Sequence, residues 1–262
     1  MSNAALQVAR TGLDAQNTKM RVIANNLANV NTTGFKRDRA DFETLAYQNI
    51  VTPGAPSDAQ NRFASGVQLG TGVRLAGIGK IATQGTLQTT ENAMDLAIEG
   101  SGYFQVERPD GSTGYTRAGN FSLTAEGNMV TSDGLPLIPA IQVPQGATAV
   151  TIGNNGVVSA SLDGQSEPSE LGQIELANFT NPSGLLSVGN NILTETAASG
   201  APQVGPGGQE GLGNIRQGAL EGSNVNIVEE LVNMIETQRA YEVNSKMISA
   251  TDEMLQFVNQ QI

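Results

Sequence analysis

Few residues in this chain are equipped for covalent or acid-base chemistry, and none has the spacing that a reaction needs. Cysteine and histidine are both absent from its 262 residues. That removes disulfides, thiolate metal sites, Ser-His and Cys-His nucleophile pairs, most zinc sites and the commonest general base near neutral pH. Gly77-Ile78-Gly79-Lys80 begins like a phosphate loop. Ile81, however, stands where that loop requires Ser or Thr, and Ala82 breaks G-x-G-x-x-G, so a β-turn is the expectation. Gly100-Ser101-Gly102-Tyr103 lacks the lysine altogether and reads as a tight turn into a strand. The carboxylate pairs Glu229/Glu230 and Asp252/Glu253 are adjacent in sequence, so on a helix they diverge and read as solvated positions. The expectation is a chain with no catalytic, cofactor or metal site, and not an enzyme.

What the chain does repeat is a seven-residue rhythm, confined to its two ends. Leu6, Ala9, Leu13, Gln16, Met20, Ile23, Leu27 and Val30 alternate spacings of 3 and 4. Ile227, Met234, Tyr241, Ile248, Leu255 and Ile262 recur every 7 residues. Both are seams of the coiled-coil kind. A first helix over about residues 4–30 would be about 40 Å long at 1.5 Å per residue, and a last one over about 226–261 about 54 Å. The assembly residues read from these seams are Leu6, Leu13, Met20, Ile23, Leu27 and Val30 at one end, and Ile227, Leu231, Met234, Tyr241, Ile248 and Leu255 at the other. A second apolar row, Ala240, Val243, Met247, Ala250, Met254 and Phe257, flanks the C-terminal one and makes that face too wide for a single partner helix. Gln16 and Gln238 interrupt the rows; a buried amide there would fix register at a cost in stability, whereas one at a seam edge would reach water. Ser223, Asn224 and Asn226 are candidate N-caps, with Glu229 and Glu230 placed to complement the helix dipole.

Charge divides the two ends. Residues 1–39 carry six basic and two acidic side chains, a net of +4, and residues 221–262 carry two basic and seven acidic ones, a net of −5. Between Arg117 and Arg216 no lysine or arginine occurs, and the whole chain sums to −11. An acidic surface of this kind repels nucleic acid and anionic lipid. No apolar run approaches a membrane span, and no charged-then-apolar leader opens the chain, so neither membrane insertion nor a cleaved export signal is expected.

The middle of the chain is written in another texture, with 31 Gly, 10 Pro and only 4% aromatic residues overall. Residues 36–47 keep some helical character, with Phe42, Leu45 and Ala46 on one face. Residues 51–72, rich in Pro, Gly, Ser, Asn and Gln, read as an extended arm. From Val73 to Glu195 short apolar runs alternate with Gly-containing turns such as Asp133-Gly134, Asn155-Gly156 and Asp163-Gly164, the pattern of a sandwich or barrel. Residues 199–213 read as a Gly/Pro linker. The fold class is therefore α+β, with discontinuous terminal helices making a coiled-coil-like domain and a mainly β head joined by an extended arm. The divisions are 1–35 (helix), 36–72 (connecting segment and arm), 73–198 (head), 199–222 (return linker) and 223–262 (helix).

Three blocks then resemble a known family. Ala24-Asn25-Asn26-Leu27-Ala28-Asn29-Val30-Asn31-Thr32-Thr33-Gly34-Phe35-Lys36 is similar to the N-terminal motif of bacterial flagellar rod and hook proteins. Ala97 to Val106, Tyr115 to Phe121 and Glu126-Gly127-Asn128 resemble a second block, and Ser223 to Asn226, Glu229 to Ile235 and Gln238 to Lys246 a third. The motif positions are Asn25, Asn26, Asn29, Gly34, Phe35, Gly100, Gly102, Phe104, Arg117, Arg239 and Tyr241. The resemblance implies an axial subunit, exported uncleaved by the flagellar type III apparatus, whose terminal helices line a helical tube with the β-rich part outside. Length and the 46–66 arm sit nearest the distal rod members, the drive shaft crossing the periplasm; proximal rod and hook members are the alternatives, and a coiled-coil surface adhesin a remoter one. Implied partners are copies of the chain itself, proximal rod and hook or junction subunits, and the P and L ring proteins. In that family the segment matching Gln48 to Gly66 bears on whether the tube is stiff or bendable.

Overall fold

The computed structural model describes residues 2–56, 60–162, 168–209 and 211–260. The chain is α+β, with one long helix at each end and many short strands between them. The expected turn at Asp163-Gly164 and the last seam residue, Ile262, lie outside the described residues. Among the described residues, no helix is long and apolar enough to cross a membrane.

The chain divides into two compact units, one comprising residues 1–27, 38–79 and 227–262, the other residues 28–37 and 80–226. The first unit is built from α1 (Ser2–Ala28), β1 (Asp38–Thr44), β2 (Gln48–Val51), β3 (Val67–Leu69), β4 (Val73–Lys80) and α2 (Ile227–Gln260). Here the structure corrects the reading of 36–47 as helical. Asp38, Ala40 and Phe42 are half-buried while Arg39, Asp41 and Glu43 are exposed, a period of two that suits a strand, and β1 pairs with β4. The arm is likewise not wholly extended loop, because β2 and β3 pair antiparallel, Gln48 opposite Leu69 and Val51 opposite Val67. Its apolar side chains Tyr47, Ile50, Phe63, Val67 and Leu69 are exposed.

The second unit holds a seven-stranded antiparallel sheet. Its order is Leu186–Gly189, Ile192–Thr194, Thr113–Thr116, Tyr103–Glu107, Glu175–Asn178 and Gln203–Pro206, with Leu137–Ile138 also pairing on Tyr103–Glu107. A three-stranded sheet runs Ala147–Ile152, Val157–Leu162, Ser169–Gln173. The strands Ser169–Gln173 and Glu175–Asn178 are separated by the fully buried Ile174 and serve different sheets. The sheets stay open, and no closed barrel forms among the described residues. Phe104, Val106 and Leu176 from the larger sheet meet Ile152 and Val158 from the smaller in one core. Phe104 and Phe121 stack edge to face at 5.1 Å, an arrangement aromatic quadrupoles favour.

The Gly/Pro-rich stretch 199–213 also differs from the expected linker. Gln203–Pro206 is the edge strand of the large sheet, where Pro206 takes an end position that needs no ladder donor, and Leu212 is buried in the core. A Cβ on Gly213 would lie 2.5 Å from the Glu99 carbonyl oxygen, so glycine is there for close approach.

Candidate assembly site

In the second unit, three blocks far apart in sequence converge on one carboxylate. Glu221 closes the short strand Ala219–Glu221, whose inward-facing Ala219 and Glu221 alternate with Leu220, so the carboxylate points into the unit and is 1% exposed. Lys36 Nζ lies 2.6 Å from its Oε1 and Arg117 Nε 2.6 Å from its Oε2. The Gly85 N–H also donates to Oε1 at 2.8 Å, and Lys36 Nζ donates to the Thr83 carbonyl at 2.8 Å. The rest of the Arg117 guanidinium donates to the carbonyls of Ile98, Gly100 and Gly102. It thereby closes the turn in which Gly100 and Gly102 both take positive φ.

Both cations contact the one carboxylate and give remaining donors to backbone carbonyls, so every charged group has partners, which is what makes its burial tolerable. Burial acts first on Glu221 and pushes its carboxyl upward, but Arg117 and then Lys36 outweigh that, leaving its pKa below the ordinary carboxylate value. Burial lowers the pKa of Lys36, against the pull of Glu221. Gly34 completes the arrangement. Its N–H donates to the Glu221 carbonyl at 2.7 Å, its φ is +69°, and a Cβ there would lie 2.6 Å from the Arg117 carbonyl carbon. Lys80 Nζ lies 5.5 Å from the centre of the Phe35 ring, a cation-π distance. Asn29 caps the turn after α1, accepting from the Thr32 backbone N–H at 3.2 Å and the Thr32 hydroxyl at 3.1 Å. The motif residues Asn29, Gly34, Phe35, Gly100, Gly102, Phe104 and Arg117 thus all fall in this unit. Glu221 was missed by sequence reading; the available signal was the Ala219-Leu220-Glu221 alternation, which puts a charge on an inward face.

The first unit holds the helix seams. Asn26 is 1% exposed, and its amide imitates a strand partner: Oδ1 accepts from the Asp38 N–H and Nδ2 donates to the Asp38 carbonyl, both at 2.9 Å. Nδ2 also reaches Glu230 Oε1 at 3.4 Å, and Asn25 Nδ2 reaches Asp38 Oδ2 at 3.4 Å. Toward the other end of α1, a Cβ on Gly12 would lie 3.2 Å from Asn244 Nδ2. Residue numbers rise along one helix as they fall along the other, so α1 and α2 run antiparallel.

On α2 the enclosed row is not the apolar one. Glu230 and Thr237 are buried, and Asn244 and Thr251 half-buried, a polar row with a period of 7. Of the apolar seam, Met234 and Ile248 are half-buried, while Ile227, Leu231 and Tyr241 are exposed. Val228, Val232, Ile235, Val243, Met247, Met254 and Phe257 are exposed as well, Val228 by 70%. Leu255 lies on α2, and its side chain is outside the described set. On α1, Ala9 and Ile23 are buried and Leu6, Leu13, Met20 and Leu27 half-buried; Val30 lies beyond the helix end and is half-buried. Gln16 is half-buried, and Gln238 and Arg239 are exposed. Ser223 and Asn224 do not cap α2 as expected. Ser223 Oγ accepts from the Val225 N–H, and Asn224 binds Arg37, Ile81 and Thr83, so Asn226 is the residue directly before the helix.

Three family descriptions match the chain in order: "Flagella basal body rod protein" over residues 6–36, "Flagellar hook protein FlgE/F/G D1 domain" over 97–160, and "Flagellar basal body rod FlgEFG protein C-terminal" over 216–261. Terminal helices around a β-rich middle, matched in this order, define the class of flagellar rod and hook proteins. Whole-length relatives narrow it. The chain is 52% identical to the flagellar basal-body rod protein FlgG of Buchnera aphidicola subsp. Acyrthosiphon pisum, over 98% of both chains. It is 48% identical to that of Caulobacter vibrioides over 98% of both chains, and 38% identical to that of Bacillus subtilis over 94% of both. The chain belongs to the FlgG family of flagellar basal-body rod proteins, structural subunits of the distal rod.

Proposed function

We propose that copies of this chain polymerise through their terminal helices into a tube that transmits torque to the hook and encloses the export channel. The observation that carries this reading is the sorting of α2: a polar row of period 7 is the more enclosed one within the first unit, while most apolar residues on its other faces are exposed. Exposed apolar rows along a helix of 34 residues are a docking surface for further helices, and the +4 and −5 termini add an attraction between copies. In the polymer, Leu6, Leu13, Met20, Ile23, Leu27 and Val30 pack with Ile227, Leu231, Met234, Tyr241, Ile248 and Leu255 of neighbouring copies, as a coiled-coil-like wall. The FlgG resemblance supports the remaining partners: proximal rod subunits below, hook or junction subunits above, P and L ring proteins around the rod, and a type III apparatus that exports the chain uncleaved across the periplasm.

The test is substitution on the exposed rows. Val243→Glu with Met247→Glu should leave the second unit folded and the chain soluble but abolish polymerisation and swimming. Normal rods carrying both changes would refute the reading.

A further inference from the structure

The two helix contacts in the first unit stand at the same interval on both helices. Asn26 to Gly12 is 14 residues along α1, and Glu230 to Asn244 is 14 along α2. Two heptads on each helix separate a hydrogen-bonded polar contact from a close-packed one. A single stagger satisfies both. Sliding α2 by one heptad, about 10 Å at 1.5 Å per residue, would take Glu230 away from Asn26 and bring a different side chain against Gly12. Apolar rows alone do not resist such a slip, because heptad neighbours on them are nearly interchangeable.

We infer that Asn26, through Glu230, sets the register of α2 on α1. The amide is buried and already held by both backbone groups of Asp38, so it is a rigid reference point fixed to the start of β1. It offers one directed donor to one acceptor on α2. Gln16 and Gln238, the amides that interrupt the apolar rows, cannot do this, since Gln238 is exposed and Gln16 only half-buried. Gly12 supplies the second fix, since a Cβ there would sit 3.2 Å from Asn244 Nδ2, tighter than an ordinary contact. With the stagger fixed, every copy presents its outward apolar rows at the same height. That last consequence rests on the polymer reading; the register itself does not.

Cysteine pairs test this directly, because the natural chain has no cysteine to interfere. Two contacts 14 residues apart on each helix put Lys19 level with Thr237, midway between them. Lys19→Cys with Thr237→Cys should give an intrachain disulfide, seen as a faster-migrating monomer on a non-reducing gel. Lys19→Cys with Asn244→Cys should not, being about 10 Å out of step and beyond the Cα separations a disulfide spans. Asn26→Asp keeps the acceptor for the Asp38 N–H but sets a carboxylate against Glu230. It should lower in-register cross-linking at least several-fold and raise the slipped product. Adding Glu230→Gln restores a donor across the contact and should return cross-linking to the starting level. Undiminished in-register cross-linking in Asn26→Asp, failure of the double variant to recover, or dimers in place of the intrachain product would each overturn the inference.

Discussion

The Lys36–Glu221–Arg117 cluster is the clearest case of single residues holding distant parts of the chain together. Lys36 is 185 residues from Glu221 and Arg117 is 104 away, yet all three are nearly inaccessible. Removing Glu221 leaves two buried cations without a counter-charge. Glu221→Gln should therefore cost about 3–5 kcal/mol in denaturant unfolding. Arg117→Lys should also be harmful, because a lysine cannot bridge Glu221 and the three carbonyls of Ile98, Gly100 and Gly102 together. The pH dependence has a definite sign. The folded pKa of Glu221 lies below its unfolded value, so its contribution is complete above the unfolded pKa and is lost as pH falls through the folded one. Stability measured from neutral into acid should fall less steeply in Glu221→Gln than in the parent; parallel curves would remove Glu221 from the account. In the sequence Gly34, Gly100, Gly102 and Arg117 stood out through their motifs, but nothing local joined them to Glu221. That link is purely a matter of tertiary distance.

Among the elements, the two long helices were legible because heptads persist over many turns, whereas their inner and outer faces were not. The apolar row of α2 looks like the seam within the chain, yet the row at Glu230, Thr237, Asn244 and Thr251 is the more enclosed one. Its polarity hid it. Hydrogen bonding replaces apolar burial there: Asn26 donates to Glu230, and the Thr237 hydroxyl donates to the Asn233 carbonyl at 2.6 Å. Strand β1 was misread for a related reason, because Phe42, Leu45 and Ala46 suit a helical face while the alternation of Asp38, Ala40 and Phe42 with charges decides the strand. Charge on α2 makes its own prediction. Reversing Glu229, Glu236 and Glu242 to Lys, while sparing Glu230 at the Asn26 contact, should slow polymerisation and raise the concentration needed for it, most visibly at low salt. Sedimentation assays with unaltered polymer yield would exclude attraction between the oppositely charged ends.

For the whole molecule, the division of labour follows from composition. Among the described residues, α2 carries the longest apolar faces and leaves most of them exposed, which suits one block of a larger object. The arm carries the property that belongs to the object. Its paired strands β2 and β3 expose Tyr47, Ile50, Phe63, Val67 and Leu69, and deleting Gln48 to Gly66 should give a softer or curved tube by electron microscopy. Straight tubes would deny the arm that role. In the assembled rod α2 should keep its polar row within the chain and give its apolar rows to other copies, which a helical reconstruction by electron cryomicroscopy would show. The expected map has Glu230 against Asn26 of the same chain, with Val243, Met247, Met254 and Phe257 packed on helices of neighbouring copies; those four side chains facing water in the finished rod would contradict this arrangement.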